Sequence, residues 1–506
     1  MDKILICLLI KDTQQIYYLP EERVSATYEN FSKEWDLSSI IRPGYYSSLP
    51  IPFGSFTRML YMIGGVGPSN YGFSVRGGAF WENRVIINGI PLLDPIFHLI
   101  IMAPVEQEVV NYAILHRGAL PIDYQGTSSI LEIQTKKSYR YLKAGFPSAS
   151  AQIASGGTFV YSYGEWIPMN DYFSASLMAG SGPLNAIAYI KGLSTLIQAP
   201  QDTIVLHLTQ AQTGFSFEPT DNLRAAIDIH SLSIQDKKTG EMADGYMGLM
   251  NIDWKWQSGG CQAEVLRRWG VVSDIMPAFT RKGYIMGCYL GRRSGIRLDI
   301  INNRVNLSIR LFRKLFINEK TALKLYLGNG HQIVYIYPLL LEPFILRRAT
   351  TVYTAISGIE WLSERGYTDI NLYLKYYAPY TAGDSISRRS VVGMDFTIVH
   401  KQNQISGFLQ RGNIPGTARW IITFFHFDRQ GRGGILMGMR DGILFEEGKR
   451  GRAVGFAGFS RTFHIRGLIT TTGFVYYMKL PIPRGGIYYD QDVSFLLPIL
   501  WFRVYF

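Results

Sequence analysis

Leu500-Trp501-Phe502-Arg503-Val504-Tyr505-Phe506 closes the sequence. Successive side chains of an extended strand point to opposite faces. Leu500, Phe502, Val504 and Phe506 therefore share one face, and Arg503 lies on the other. An amphipathic strand at the end of a soluble chain leaves an unpaired edge that invites aggregation. In a closed barrel the last strand pairs with the first, and no edge remains. The stretch therefore predicts a barrel.

The same period runs through the chain before it. Val305, Leu307, Ile309 and Leu311 interleave with Asn306, Ser308 and Arg310. Met394, Phe396 and Ile398 interleave with Asp395 and Thr397, and Ile370, Leu372 and Leu374 with Asn371 and Tyr373. Charged residues recur on the wet face: Asp228, Arg310, Lys375 and Asp395. A sandwich turns such a face to water, whereas a membrane barrel turns it into the lumen and gives the dry face to lipid. Alternation alone leaves both open. No apolar run reaches the ~18 residues of a spanning helix, but a barrel strand needs only about 9–11, half of them apolar. Aromatics make up 14% of the chain, with 32 Tyr and 28 Phe, which fits interfacial girdles and also a soluble all-β protein.

The chain after Lys137 has room for about 22 strands of about ten residues. A lumen of that size needs a plug. Residues 41–137 have a different texture, with Gly and Pro between short apolar runs, as in Gly64-Gly65-Val66-Gly67-Pro68 and Arg76-Gly77-Gly78. They read as a small α+β domain. The expected organisation is an N-terminal arm at 1–40, a plug at 41–137, and a large antiparallel transmembrane β-barrel at 138–506. Within the arm, Lys3 precedes the apolar run Ile4–Ile10, a short signal-like start with no small-x-small cleavage site after it.

The formal net charge of +12 comes from Lys and Arg scattered in ones and twos, as at Arg292-Arg293 and Arg388-Arg389, so nucleic acid is not an expected partner. The three cysteines, Cys7, Cys261 and Cys288, form no C-x-x-C pair. Cys261 and Cys288 either pair in an oxidising compartment or stand as separate thiols. No nucleophile elbow, H-E-x-x-H or phosphate-binding glycine loop occurs, and eight scattered His suggest no metal cluster. Neither an enzyme nor a cofactor is expected.

Four ordered stretches resemble the plug of TonB-dependent outer-membrane receptors, most of all the Bacteroidetes version. They are Pro50–Leu60 followed by Gly65-Val66; Phe73-Ser74-Val75-Arg76-Gly77-Gly78; Glu82–Leu92 with Asn88-Gly89-Ile90-Pro91; and Arg117–Pro121 leading through Tyr124, Gly126 and Ser128-Ser129 to Leu131-Glu132-Ile133. Phe502, Val504 and Phe506 resemble the terminal signal read by the barrel-assembly machinery. The chain departs from the family pattern at Asn88, where an Asp is usual, and at Asp123-Tyr124-Gln125-Gly126. The resemblance implies an integral protein of the bacterial outer membrane, in contact with its lipid. It implies energy-coupled uptake of a ligand too large for porins: a siderophore, cobalamin, an oligosaccharide or a peptide, with a surface or periplasmic binding partner conceivable. TonB, with its inner-membrane energising complex, is then a partner, and Glu22-Arg23-Val24-Ser25-Ala26 is the expected contact segment. Phe80, Trp81, Glu82, Asn83, Asp94, Phe97 and His98 are the expected ligand-facing apices of the plug. Arg76, with Gly77 and Gly78, is expected to latch the plug to a barrel carboxylate, since a buried arginine is costly unpaired. The competing readings are a barrel without TonB coupling and a soluble all-β adhesin.

Overall fold

The computed structural model describes residues 38–41, 60–69, 72–78, 82–92, 110–124, 126 and 128–135, and from 139 onward the strands named below with the short turns beside them. Seven strands precede the barrel: β1 (Ser38–Ile41), β2 (Val66–Ser69), β3 (Gly72–Val75), β4 (Asn83–Ile87), β5 (Ile90–Leu92), β6 (Val110–Arg117) and β7 (Ser129–Thr135). Five form a sheet in the order β1-β6-β7-β4-β5, and β2 and β3 form a separate hairpin. Ser38–Ile40, read from sequence as the end of the arm, pair with Ile114–His116 and so extend the plug sheet. β4 and β5 are joined by Asn88-Gly89, both at positive φ (49° and 81°), the backbone that a tight hairpin turn demands.

The rest is one closed barrel. Its wall begins with β8 (Tyr139–Phe146), β9 (Ser148–Ser155), β10 (Thr158–Ile167), β11 (Asn170–Ser181), β12 (Leu184–Gln198), β13 (Thr203–Thr220), β14 (Leu223–Asp236) and β15 (Met242–Trp256). It continues with β16 (Gly259–Val272), β17 (Phe279–Leu290), β18 (Gly295–Ile301), β19 (Arg304–Asn318), β20 (Thr321–Val334), β21 (Arg348–Ser363), β22 (Gly366–Pro379) and β23 (Arg389–His400). Then come β24 (Asn403–Gly412), β25 (Trp420–Phe427) and β26 (Gly433–Arg440), a small separate hairpin β27 (Leu444–Glu446) and β28 (Lys449–Arg450), and β29 (Val454–Ile465), β30 (Leu468–Lys479) and β31 (Ile499–Tyr505). Twenty-two of these strands form the barrel, every neighbouring pair antiparallel, and β31 closes it against β8 with Phe502 opposite Ala144 and Val504 opposite Leu142. Phe506 lies outside the described residues. Two-residue turns such as Asp221-Asn222, Gln257-Ser258 and Glu319-Lys320 alternate with longer connections, so one rim is trim and the other carries the long loops.

The barrel is inside out relative to a soluble protein. On β19 the outward Val305, Leu307, Ile309 and Leu311 are 67%, 50%, 45% and 54% exposed, while the inward Ser308 and Arg310 are 1% and 2% exposed. Arg297, Lys324 and Lys375 are likewise fully buried on the inner face. An apolar belt of this extent is far larger than the exposed patches of soluble proteins and needs lipid to cover it. The alternation that sequence left ambiguous is thereby settled as lipid outside and plug inside. The plug core of Leu60, Val66, Phe73, Val75, Ile87, Leu115 and Ile133 runs on without a break into Phe425, Phe427 and Leu436 of β25 and β26.

Candidate functional site

The site is the seat of the plug in the lumen. Arg76 follows β3 with φ at 47°, its amide donating to Gly65 O at 2.7 Å. This sends its fully buried side chain into the wall, where Nε donates to Asp395 Oδ2 at 2.7 Å and Nη1 to Arg117 O at 2.7 Å. Arg117, at the end of β6, donates through Nη2 to Asp369 Oδ2 at 3.1 Å, and its Nη1 lies 3.6 Å from Asp395 Oδ1. Burial disfavours the charge of Arg117, but the two carboxylates outweigh it and hold its pKa above the ordinary value. Asn371 donates to both Asp369 and Asp395, at 3.0 and 2.9 Å. Lys324 reaches Asp369 at 2.5 Å and Glu360 at 2.9 Å, and Lys314 also meets Glu360. Two plug arginines are thus set in a buried wall of alternating charges on β19 to β23.

Gly77 and Gly78 let the backbone lie against that wall. Gly77 has φ of 69°, and a Cβ there would come within 2.5 Å of Val391. A Cβ at Gly78 would collide with Ser128. Around them Lys375 donates to Val75 O at 3.0 Å and Ser128 Oγ at 2.8 Å, and Ser406 and Gln404 both donate to Met62 O.

The opposite flank is held differently. Arg84 meets Glu264 at 2.7 Å with both side chains partly exposed, and Lys255 lies 3.5 Å from Asp123. Arg84, Ile86, Gly89, Asp123, Tyr124 and the barrel's Arg224, Asn251, Asp253 and Gln262 line a small, partly open cavity with space for about one water molecule. Among the described residues, Asp123 Oδ1, Asp253 Oδ1, Arg224 Nε and Asn251 Nδ2 are buried there with no hydrogen-bond partner. Room and unmet polar atoms together suit ordered water. Burial pushes the Asp123 carboxyl up, against the opposing pull of Lys255. Glu132 behaves oppositely. Burial alone would raise it, but His116 and the Tyr124 hydroxyl hydrogen-bonded to it hold it below the usual carboxylate range.

The residues expected from sequence divide clearly. Arg76, Gly77 and Gly78 meet the wall as described. Glu82 and Asn83, expected at an open apex, are instead 3% and 4% exposed. Glu82 accepts from Tyr377 Oη at 3.2 Å, and Asn83 donates to Phe73 O and accepts from Ser129 Oγ. Glu82 thus meets the barrel wall, while Asn83 is tied within the plug where β4 begins inside the sheet. Phe80, Trp81, Asp94, Phe97, His98 and Glu22 to Ala26 lie outside the described residues. Asn88, the departure from the family's usual Asp, donates to Thr135 Oγ1 and accepts from Thr135 N; an aspartate would accept only. Cys261 and Cys288 sit directly opposite on β16 and β17 and form a disulfide. Among the described residues no group of three or more His, Cys, Asp or Glu is placed to hold a metal ion.

No family model matches the chain, and no curated protein matches its sequence. Solved structures do match. The siderophore receptor PirA from Acinetobacter baumannii aligns at 10% identity and a TM-score of 0.58, over 93% of this chain and 98% of that one. The alcaligin outer membrane receptor FauA from Bordetella pertussis aligns at 12% identity and 0.60, over 94% and 95%. A variant of the ferric enterobactin receptor PfeA from Pseudomonas aeruginosa, in complex with enterobactin, aligns at 10% and 0.60, over 94% and 100%. The chain shares the plugged-barrel fold of these receptors. The narrower Bacteroidetes likeness rests on the plug motifs alone.

Proposed function

We propose that this chain is an energy-coupled importer of the outer membrane, in which TonB pulls on the N-terminal arm and shifts the plug to pass a ligand too large for a porin. The observation that carries this reading is how the plug is seated. Buried ion pairs such as Arg76–Asp395 and Arg117–Asp369 return little more than the desolvation they require. Apolar packing joins the plug to β25 and β26, but elsewhere the seat is charged and partly wet, and that part can be exchanged for water when force is applied. Glu22–Ala26 is the proposed TonB contact. Phe80, Trp81, Asp94, Phe97 and His98 are the proposed ligand-facing residues; Glu82 and Asn83 belong to the same proposed group, at its buried edge. The ligand belongs to the siderophore, cobalamin, oligosaccharide or peptide classes, and transport rather than catalysis is the activity.

The test is deletion of residues 1–30, with uptake followed for one labelled member of each ligand class. Expression under iron limitation or glycan feeding selects which to try first. Loss of uptake with the barrel still heat-modifiable on a gel supports coupling. Undiminished uptake leaves a passive barrel in its place.

A further inference from the structure

The barrel wall is interrupted at one place among the described residues. β19 and β20 pair from Asn318–Thr321 up to Arg310–Gly328. Both strands continue beyond it, β19 to Arg304 and β20 to Val334, yet no register joins them there. β19 stays zipped to β18 as far as Ile301–Arg304, and β20 to β21 as far as Val334–Arg348. Each strand keeps its other neighbour, and the wall parts between them.

Side chains fill the parting. Asn329 Oδ1 accepts from Ile309 N at 2.7 Å, and Asn329 Nδ2 donates to Leu307 O at 2.9 Å. His331 lies across the same seam, Nε2 3.1 Å from Leu307 O and Nδ1 2.9 Å from Thr351 Oγ1. The seam lies at lipid depth, because its β19 side carries the outward-facing Val305, Leu307 and Ile309. Wall backbone facing hydrocarbon must be hydrogen-bonded within the protein. A break there, stitched by an amide and an imidazole, is therefore a built feature of the wall.

Its foot is tied to the plug. Arg310 forms the last β19–β20 pair, and its Nε is 3.4 Å from Asn329 O. Its Nη1 and Nη2 reach the plug carbonyls of Leu120, Pro121, Tyr124 and Gly126, at 3.4, 2.5, 2.7 and 3.3 Å. Among the described residues no carboxylate lies within ion-pair distance of Arg310, so those carbonyls are its principal partners. One guanidinium therefore holds both the plug loop and the foot of the seam.

We propose that the β19–β20 seam is a lateral gate, which parts toward the outer leaflet when the plug loop leaves Arg310 and admits the tail of an amphiphile to the lumen. An amphiphile is the occupant that fits, because the seam is polar at Asn329 and His331, apolar beside them, and bordered by lipid. The inference rests on the reading that the plug leaves its seat. It is tested without TonB or a transported ligand, so the two fail separately.

The experiment uses the full chain in phospholipid nanodiscs, with Cys7→Ser, Cys261→Ser and Cys288→Ser to clear native thiols. Spin labels at Leu298→Cys on β18 and Tyr376→Cys on β22 straddle the seam. A pair at Ile227→Cys and Met286→Cys spans unbroken wall and serves as control. Arg310→Gln is expected to lengthen the first distance by about one strand spacing, ~5 Å, and to leave the control unchanged. A phospholipid carrying a diazirine in its acyl tail is expected to label plug peptides within 110–135 in this variant at least tenfold above wild type. If Arg310→Gln loses heat-modifiable mobility, Arg310→Lys, which retains the charge without the fork, takes its place. An unchanged seam distance, equal lengthening in the control, or lengthening without lipid reaching the plug would each overturn the gate.

Discussion

Arg76 and Asp395 are 319 positions apart and meet with both side chains fully buried. Removing one partner of such a pair leaves the other charge stranded, at about 3–5 kcal/mol. Arg76→Met should therefore loosen the plug strongly, while Arg76→Met with Asp395→Leu should recover most of the loss. Protease accessibility of the plug against urea reads both, and equal loosening in single and double variants would contradict the pairing. Asp395 and Lys375 were legible in sequence as charges on the wet face of alternating strands. Their partners were not, since nothing in a period of two says which plug atom a lumen residue will face. Arg117 stood in the closing plug motif, but its pairing with Asp369 and Asp395 was hidden for the same reason. Glu132 sets a pH dependence. Its folded pKa lies below the ordinary carboxylate value, so its stabilisation is present above that value and lost as pH falls through the folded pKa. Asp123 acts in the opposite sense, being raised by burial, and favours the folded state below the ordinary value. Amide protection of Ser129–Thr135, corrected for intrinsic exchange, should fall on acidification, and Glu132→Gln should flatten that fall.

At the scale of strands, the outward face of β19 is apolar from Val305 to Leu311. Leu311→Arg puts a charge into lipid and should cost about 2–4 kcal/mol near the midplane, read from urea titration of folding into vesicles. Leu311→Met should be close to neutral. A similar loss in both variants would remove the lipid from the account. Alternation made these strands readable. It did not settle the pairing of Cys261 with Cys288, which follows from the β16–β17 register and from a turn whose length composition does not set. Breaking that disulfide with Cys288→Ser should cost about 3 kcal/mol, within the usual range for loops of this size. The break between β19 and β20 did leave a trace in sequence, since Gly328 and Gly330 flank Asn329 and both Asn329 and His331 put polar groups on an otherwise apolar face, but glycines in a strand mark a bulge as readily as a break.

Over the whole molecule, the fold was more legible than the site. The barrel was written in a repeated two-residue period, a local signal that many strands restate. The plug was readable through its turn residues: Arg76, Gly77, Asn88 and Gly89 all carry the positive φ that their turns require. The seat depends on contacts between residues hundreds of positions apart, and no local pattern encodes them. Above all, a plug held by charge closes a membrane-spanning barrel. Potassium chloride conductance of the full chain in a planar bilayer tests it directly. The wild-type chain should stay closed, and the chain carrying Asp369→Asn and Asp395→Asn should show open-pore steps once both arginines lose their carboxylates. A wild type that conducts freely, or a double variant as tightly closed as the wild type, would contradict it.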